Sequence, residues 1–125
     1  MKMDNQKTQI EPVLTEAVNY FAEDGPEMPT ESGLGQIYPN PFNQTTTINY
    51  AIYAENNMPV QVKMNVYSVT GQLVANLVNQ KMSPGNYTIE WHGTTEDGWR
   101  VPKGTYIIRF VTDIVHNVKI LVKLD

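Results

Sequence analysis

The sequence predicts an all-β protein, an antiparallel β-sandwich of about six to seven strands behind an acidic extension. Three observations point there. Apolar and polar side chains alternate over stretches of about six residues, the period of a strand with one face in a core and the other in water. Eight glycines and eight prolines punctuate those stretches. Charged residues are only 18% of the 125, and no helical pattern separates the alternating segments, a profile closer to a loop-rich β protein than to a helix bundle. A chain of this length buries roughly 60% or more of its unfolded surface, so one core without staples is the expectation.

The first 35 residues differ from the rest. They hold Lys2 and Lys7 against seven acids (Asp4, Glu11, Glu16, Glu23, Asp24, Glu27, Glu31). Pro12 can occupy a first helical position, and Val13, Leu14, Ala17, Val18 and Phe21 recur at three- and four-residue spacing. A helix of about ten residues is marginal in water. This stripe needs a surface to receive it, and we expect it to dock on a partner. The acidic stretch "EDGPEMPTESGLG", Glu23 to Gly35, reads as a linker. The expected division is therefore 1–35, extension and linker, and 36–125, sandwich.

Past that boundary each strand can be justified in turn. Thr46, Ile48, Tyr50 and Ile52 alternate with polar or small neighbours, as do Val60, Val62, Met64 and Val66. Leu73, Val74, Leu77 and Val78 mark a third strand with poorer alternation. Tyr87, Ile89 and Trp91 mark a fourth, Tyr106, Ile108 and Phe110 a fifth, and Val118 to Leu124 a sixth. Gly71 in "SVTGQL" suits a hairpin, Pro84-Gly85 the centre of a type II turn, Asp97-Gly98 another turn, and "VPKGTY" repeats the device. Short strands joined by turn chemistry predict an immunoglobulin-like or fibronectin-like sandwich. Before the first strand stands "YPNPF". Pro39 and Pro41 fix their own φ and restrict Tyr38 and Asn40, which sets the direction of entry, delivers Phe42 to plug one end of the core and leaves Asn40 to bond local backbone.

Several chemistries find no support. A near-neutral body behind an acidic head offers no basic face for nucleic acid, and no apolar run is long enough to insert in a membrane. Without cysteine there are no thiolate ligands or nucleophiles. His92 and His116 lack metal-ligand spacing, and Glu96-Asp97 fits a turn better than a calcium loop. Ser32, Ser68 and Ser83 sit in no nucleophile elbow, while Glu55, Glu90, Glu96, Asp97 and Asp113 are scattered as solvated charges. Asn43 and Asn86 head glycosylation-type triplets by coincidence. Trp91 reads as core and Trp99 as exposed, so a sugar platform would rest on Trp99 and Tyr53 alone. No enzyme activity and no cofactor are expected.

"YPNPFNQTTTINYAI", "VYSVTGQLVANLVN", "SPGNYTIEWHGTTEDGWRVPKGTYIIRF" and "VKILVKL" occur in that order over residues 36–125. Together they resemble the C-terminal sorting domain of the type IX secretion system of Bacteroidota, and a related module of flagellar hook-capping proteins. The resemblance implies a non-enzymatic sandwich that addresses a protein to the outer membrane or cell surface through a secretion translocon. The matching positions are Pro39, Asn40, Pro41 and Phe42 in the leading motif, Tyr67, Gly71 and Leu73 in the central hairpin, and Gly104, Tyr106, Lys119 and Lys123 in the closing one. Glycines and aromatics are expected to serve turns and packing, and Lys119 and Lys123 to set charge preference on an exposed last strand.

Family members carry a signal peptide and a large cargo, whereas "MKMDNQKTQIEP" has no apolar stretch after its lysine. Two further readings therefore stand beside the first, an accessory subunit packed on a larger host complex and, third, a carbohydrate-binding module. The expected location is the periplasm, outer membrane or cell surface if the chain is part of an exported protein, and cytoplasmic or complex-bound if Met1 is the native start.

Overall fold

The computed structural model describes residues 28–125. The stripe of Val13, Leu14, Ala17, Val18 and Phe21 lies outside them. Seven strands form: β1 (Gly33–Tyr38), β2 (Thr46–Ile52), β3 (Val60–Ser68), β4 (Leu73–Met82), β5 (Gly85–Trp91), β6 (Gly104–Val111) and β7 (His116–Lys123). They make two antiparallel sheets, one in the order β1-β2-β5 and the other β4-β3-β6-β7. The fold class is that expected from the sequence, an antiparallel β-sandwich.

Alternation explains the core directly. Ile48, Tyr50 and Ile52 of β2 face Val62, Met64 and Val66 of β3 and Tyr106, Ile108 and Phe110 of β6, all buried, with Leu121 and Val78 beside them. Each such side chain contributes about 1.5–3 kcal/mol on leaving water. Aromatic rings close one end of this layer. Phe42 and Trp91 lie 5.6 Å apart, and Trp91 meets Tyr106 edge-on at 5.7 Å. The polar tips of the buried aromatics are satisfied locally, since Trp91 Nε1 donates to Thr94 O and Tyr106 Oη donates to Pro102 O.

Two departures from the expected strands have one cause. The first strand of the sandwich is β1, which begins at Gly33, so residues 33–35, assigned by composition to the linker, are in the sheet. Its register jumps from Leu34↔Tyr50 to Ile37↔Ile48, setting two residues against one. The two core-facing apolar residues are therefore three apart, and the period-two signal vanishes. In β4 the register skips Leu77 between Val78↔Met64 and Asn76↔Asn65, and Val74 between Ala75↔Val66 and Leu73↔Tyr67. These bulges turn alternation into the doublets Leu73-Val74 and Leu77-Val78.

The joints mostly follow turn chemistry. Ser68 N donates to Gln72 O and Gly71 N to Ser68 O, closing the β3–β4 hairpin around a Gly71 φ of 90°. Thr95 N donates to Trp99 O and Gly98 N to Thr95 O at the expected Asp97-Gly98 turn. Pro84-Gly85 is different. β4 and β5 belong to different sheets, and Gly85 is already paired with Ile52 as the first residue of β5, so this dipeptide carries the chain across the sandwich instead of forming the centre of a type II turn.

Candidate contact surface

The Pro39–Phe42 segment does not precede the first strand; it links β1 to β2 and lies along the open edge of β7. Phe42 N donates to Val122 O at 2.9 Å, and Leu124 N donates to Phe42 O at 2.8 Å, a parallel bridge to the Lys123 position. The Asn40 side chain continues the ladder. Its Nδ2 donates to Ile120 O at 2.9 Å and its Oδ1 accepts from Val122 N at 3.0 Å. Asn40 therefore bonds a strand 80 residues away, not its own local backbone as expected. The reason is geometric: the segment runs beside β7, and a primary amide offers a donor and an acceptor in the spacing of a peptide unit.

Proline suits this segment because it has no N–H to leave unpaired. Both prolines follow cis peptide bonds. The Pro39 carbonyl accepts from the fully buried Thr46 hydroxyl at 2.6 Å. The outcome is an edge strand closed over Ile120 to Leu124 by a short, irregular cap, which removes most of its templating capacity there. Toward the other end of β7, the Asn117 side chain accepts from Leu34 N at 2.9 Å and Lys119 Nζ donates to Gly35 O at 2.8 Å, tying β7 to β1.

Lys123 is not on the surface. It is 1% exposed, its stem passes Gly93 and its ammonium donates to the Asp125 carbonyl. Alternation dictates this burial, because Lys123 falls on the same face of β7 as Leu121. Lys119, on the same parity, reaches the edge and spends its charge on a β1 carbonyl. The exposed lysine pair expected on the last strand therefore does not form. Gly93 is a residue that sequence reasoning passed over. Its φ is +68°, and a Cβ there would lie 2.8 Å from Lys123 Cε and 3.6 Å from the Phe42 ring. No motif flags it, since the contact joins three distant segments.

The outward face of the four-stranded sheet carries a different surface. Across the registers Leu73↔Tyr67, Tyr67↔Ile107 and Ile107↔Ile120 runs a row of apolar side chains from β4 to β7. Leu73 is 54% exposed and Ile120 60%, with Val118 at 54% beside them. The neighbouring rows are mostly polar, with Val118 at the β7 end of one and Val111 in the next. Asn76 donates to Asn65, Asn65 Nδ2 donates to Tyr67 Oη at 3.3 Å, and Arg109 Nε donates to His116 Nε2 at 2.8 Å. Lys63, Asn65, Tyr67, Arg109 and Val111 line a notch of about 180 Å³. The Asn65 hydrogen bond, then the hydrogen bond and charge of Arg109 and the charge of Lys63, pull the Tyr67 hydroxyl below the ordinary tyrosine range.

Residues 37–113 match the family described as the FlgD Ig-like domain. The chain belongs to the FlgD Ig-like domain family. No curated protein matches it. Among solved structures, the dimeric latent PorU of Porphyromonas gingivalis is similar with a TM-score of 0.59 and 19% identity, over 76% of this chain and 10% of PorU. PorZ, described as an essential bacterial surface component of the type-IX secretion system of the same organism, has a TM-score of 0.49 at 18% identity over 72% of this chain and 11% of PorZ. FlgD of Xanthomonas campestris, described with hook capping in flagellar assembly, has a TM-score of 0.47 at 18% identity over 76% and 63%. The chain spans about a tenth of PorU and of PorZ.

The other sequence-marked residues take structural places in this FlgD Ig-like domain. His92 is near Glu90 and Thr45 on the three-stranded sheet, whereas His116 is on the four-stranded one. Among the described residues no three His, Cys, Asp or Glu come together as a metal site. Glu96 reaches back to accept from Asn76 N at 2.6 Å on the β4 edge. Trp99 is 74% exposed in the β5–β6 connection, beyond Trp91, while Tyr53 follows β2 at the end where Ile52 pairs with Gly85. The two rings are thus attached at opposite ends of β5 and share no platform. A shallow groove of about 710 Å³ crosses the outer face of the three-stranded sheet over Gly35, Asn49, Asn86 and Thr88. Among the described residues no helix is long and apolar enough to cross a membrane.

Proposed function

We propose that this sandwich is a non-catalytic recognition module of the type IX sorting kind, which addresses or anchors a protein at the bacterial outer membrane or cell surface. One observation carries the reading. The leading motif, Pro39 to Phe42, and the closing strand are a single hydrogen-bonded unit, joined through Ile120, Val122 and Leu124 across about 80 residues of sequence. Two motifs that resemble a sorting signal and lie about 80 residues apart in sequence are thus adjacent in space, where a translocon would read them together. The likeness to PorU in fold is compatible with this reading.

The function follows from contact. A sandwich with one edge partly capped and an apolar row on one sheet face offers a surface of fixed shape to a protein partner. A reporter bearing a signal peptide and residues 28–125 at its C-terminus tests it in a host with type IX machinery. Surface display that disappears when the translocon is deleted supports sorting. Retention of the reporter in the periplasm of both strains removes it.

The exposed Leu73–Tyr67–Ile107–Ile120 row favours a second reading, an accessory subunit seated on a larger complex. Copurification at fixed stoichiometry, with no surface display of the reporter, distinguishes it.

A further inference from the structure

We infer that the notch between β3 and β6 is an anion site, in which Lys63, Arg109 and Tyr67 hold a phosphoryl oxyanion. The site is separate from the capped β7 edge and does not depend on whether the sandwich serves as a sorting module or as a subunit.

Charge on this sheet face has one sign. Residues 28–125 hold seven acids and seven lysines or arginines, so the described body is balanced. The outward positions of the four-stranded sheet, in contrast, carry Lys63, Lys81 and Arg109 and no Asp or Glu. Among the described residues no carboxylate pairs with Lys63 or Arg109. Two cations left unopposed beside one notch raise its attraction for an anion.

The register builds the site. On β3, Lys63 and Tyr67 stand about 7 Å to either side of Asn65 on one face, and Arg109 is paired with Asn65 from β6, about 5 Å away. Three donors therefore approach from three sides. The acceptors around them are already engaged: Asn65 Oδ1 accepts from Asn76 Nδ2 at 2.6 Å, Tyr67 Oη from Asn65 Nδ2 at 3.3 Å and His116 Nε2 from Arg109 Nε at 2.8 Å. What stays available is the Lys63 ammonium, the terminal N–H groups of Arg109 and the Tyr67 O–H, all of them donors. The Tyr67 hydroxyl already responds to Arg109 and Lys63, after its Asn65 hydrogen bond. A planar carboxylate uses two such directions, whereas a tetrahedral oxyanion uses all three. The notch of about 180 Å³ has the volume of about six waters, room for one phosphoryl group and too little for a nucleoside.

Titration of the full chain with inorganic phosphate near neutral pH and at constant ionic strength, followed by amide and Arg109 Nε–H NMR signals, tests the site. The result expected is saturable shifts at Lys63, Asn65, Tyr67 and Arg109, with a midpoint in the millimolar range. Lys63→Gln and Arg109→Gln should each weaken binding about tenfold, and Tyr67→Phe a few-fold. Lys81→Gln, on the same face but outside the notch, should leave the midpoint unchanged. The spectra themselves report whether each variant is folded. Two further arms separate the sources: glycerol phosphate in solution, and phosphatidylcholine vesicles with and without phosphatidic acid. Whichever binds, with loss in the Lys63→Gln and Arg109→Gln double variant, names the source; inorganic phosphate that binds when neither does names the free ion. No saturable shift, shifts matched by sodium chloride, an equal response to acetate, or a midpoint as sensitive to Lys81→Gln as to Lys63→Gln overturns the inference.

Discussion

Asn40 makes from one side chain the two hydrogen bonds that a strand backbone would otherwise make to Ile120 and Val122. Asn40→Ala should cost about 1–2 kcal/mol in urea denaturation, and the Val122 amide should exchange faster with solvent. Asn40→Asp keeps an acceptor for Val122 N but faces the Ile120 carbonyl with a carboxylate, so it should cost at least as much. Gly93→Ala is expected to be worse. Positive φ and the buried Lys123 stem both oppose a Cβ there, and a loss of about 2–3 kcal/mol should appear as a lowered denaturation midpoint. Burial holds the Tyr50 and Tyr106 hydroxyls above the ordinary range, with Tyr87 adding to the effect on Tyr50. The unfolded chain loses these protons first, near pH ~10, so their stabilising effect is complete below that pH and disappears as pH climbs toward the folded values. Stability measured by urea at stepped pH should fall in that alkaline window, less steeply in Tyr50→Phe and Tyr106→Phe. Tyr67 acts in the opposite direction: phenolate absorbance should begin to rise early, and Tyr67→Phe should remove that early limb.

The elements differ in how much their residues disclosed. β2, β3 and β6 alternate cleanly because each faces the core on one side over its full length, and their buried sets are the ones alternation selects. β1 was hidden by its bulge and glycines, and β4 was blurred by two bulges, since an extra residue shifts the phase of every side chain after it. The clamp was legible in part. Its prolines and the burial of Phe42 follow from local chemistry, but the partner of Asn40 is 80 residues away and no local rule names it. The Lys123 burial was available from parity with Leu121, yet its charge argued for the surface. At this scale the clamp should matter as a guard. Replacing Pro39, Asn40 and Pro41 together with alanine should uncover the β7 edge and produce concentration-dependent association, detectable by sedimentation, while a Lys119→Ala change alone should not.

The described residues place the Phe42–Trp91–Tyr106 cluster, the capped part of the β7 edge and the Gly71 and Asp97-Gly98 turns at one end, and an apolar row on one outward face. That arrangement holds two distant sequence motifs and one sheet face in fixed relation, the geometry that the proposed recognition by another protein would use. The relation to the Ig-like module of hook-capping proteins was legible from ordered motifs because those motifs are the turns and cap that the fold needs, whereas the partner was not, because an exposed row such as Leu73, Tyr67, Ile107 and Ile120 carries shape and charge but no name. The most direct measurement is purification of the full chain from its native cells after mild crosslinking, followed by identification of everything attached to it. A protein of the bacterial envelope, recovered at fixed stoichiometry and crosslinked through the β7 end or the outward face, is the predicted result. A chain recovered alone under crosslinking, or one that turns over a small molecule, would contradict it.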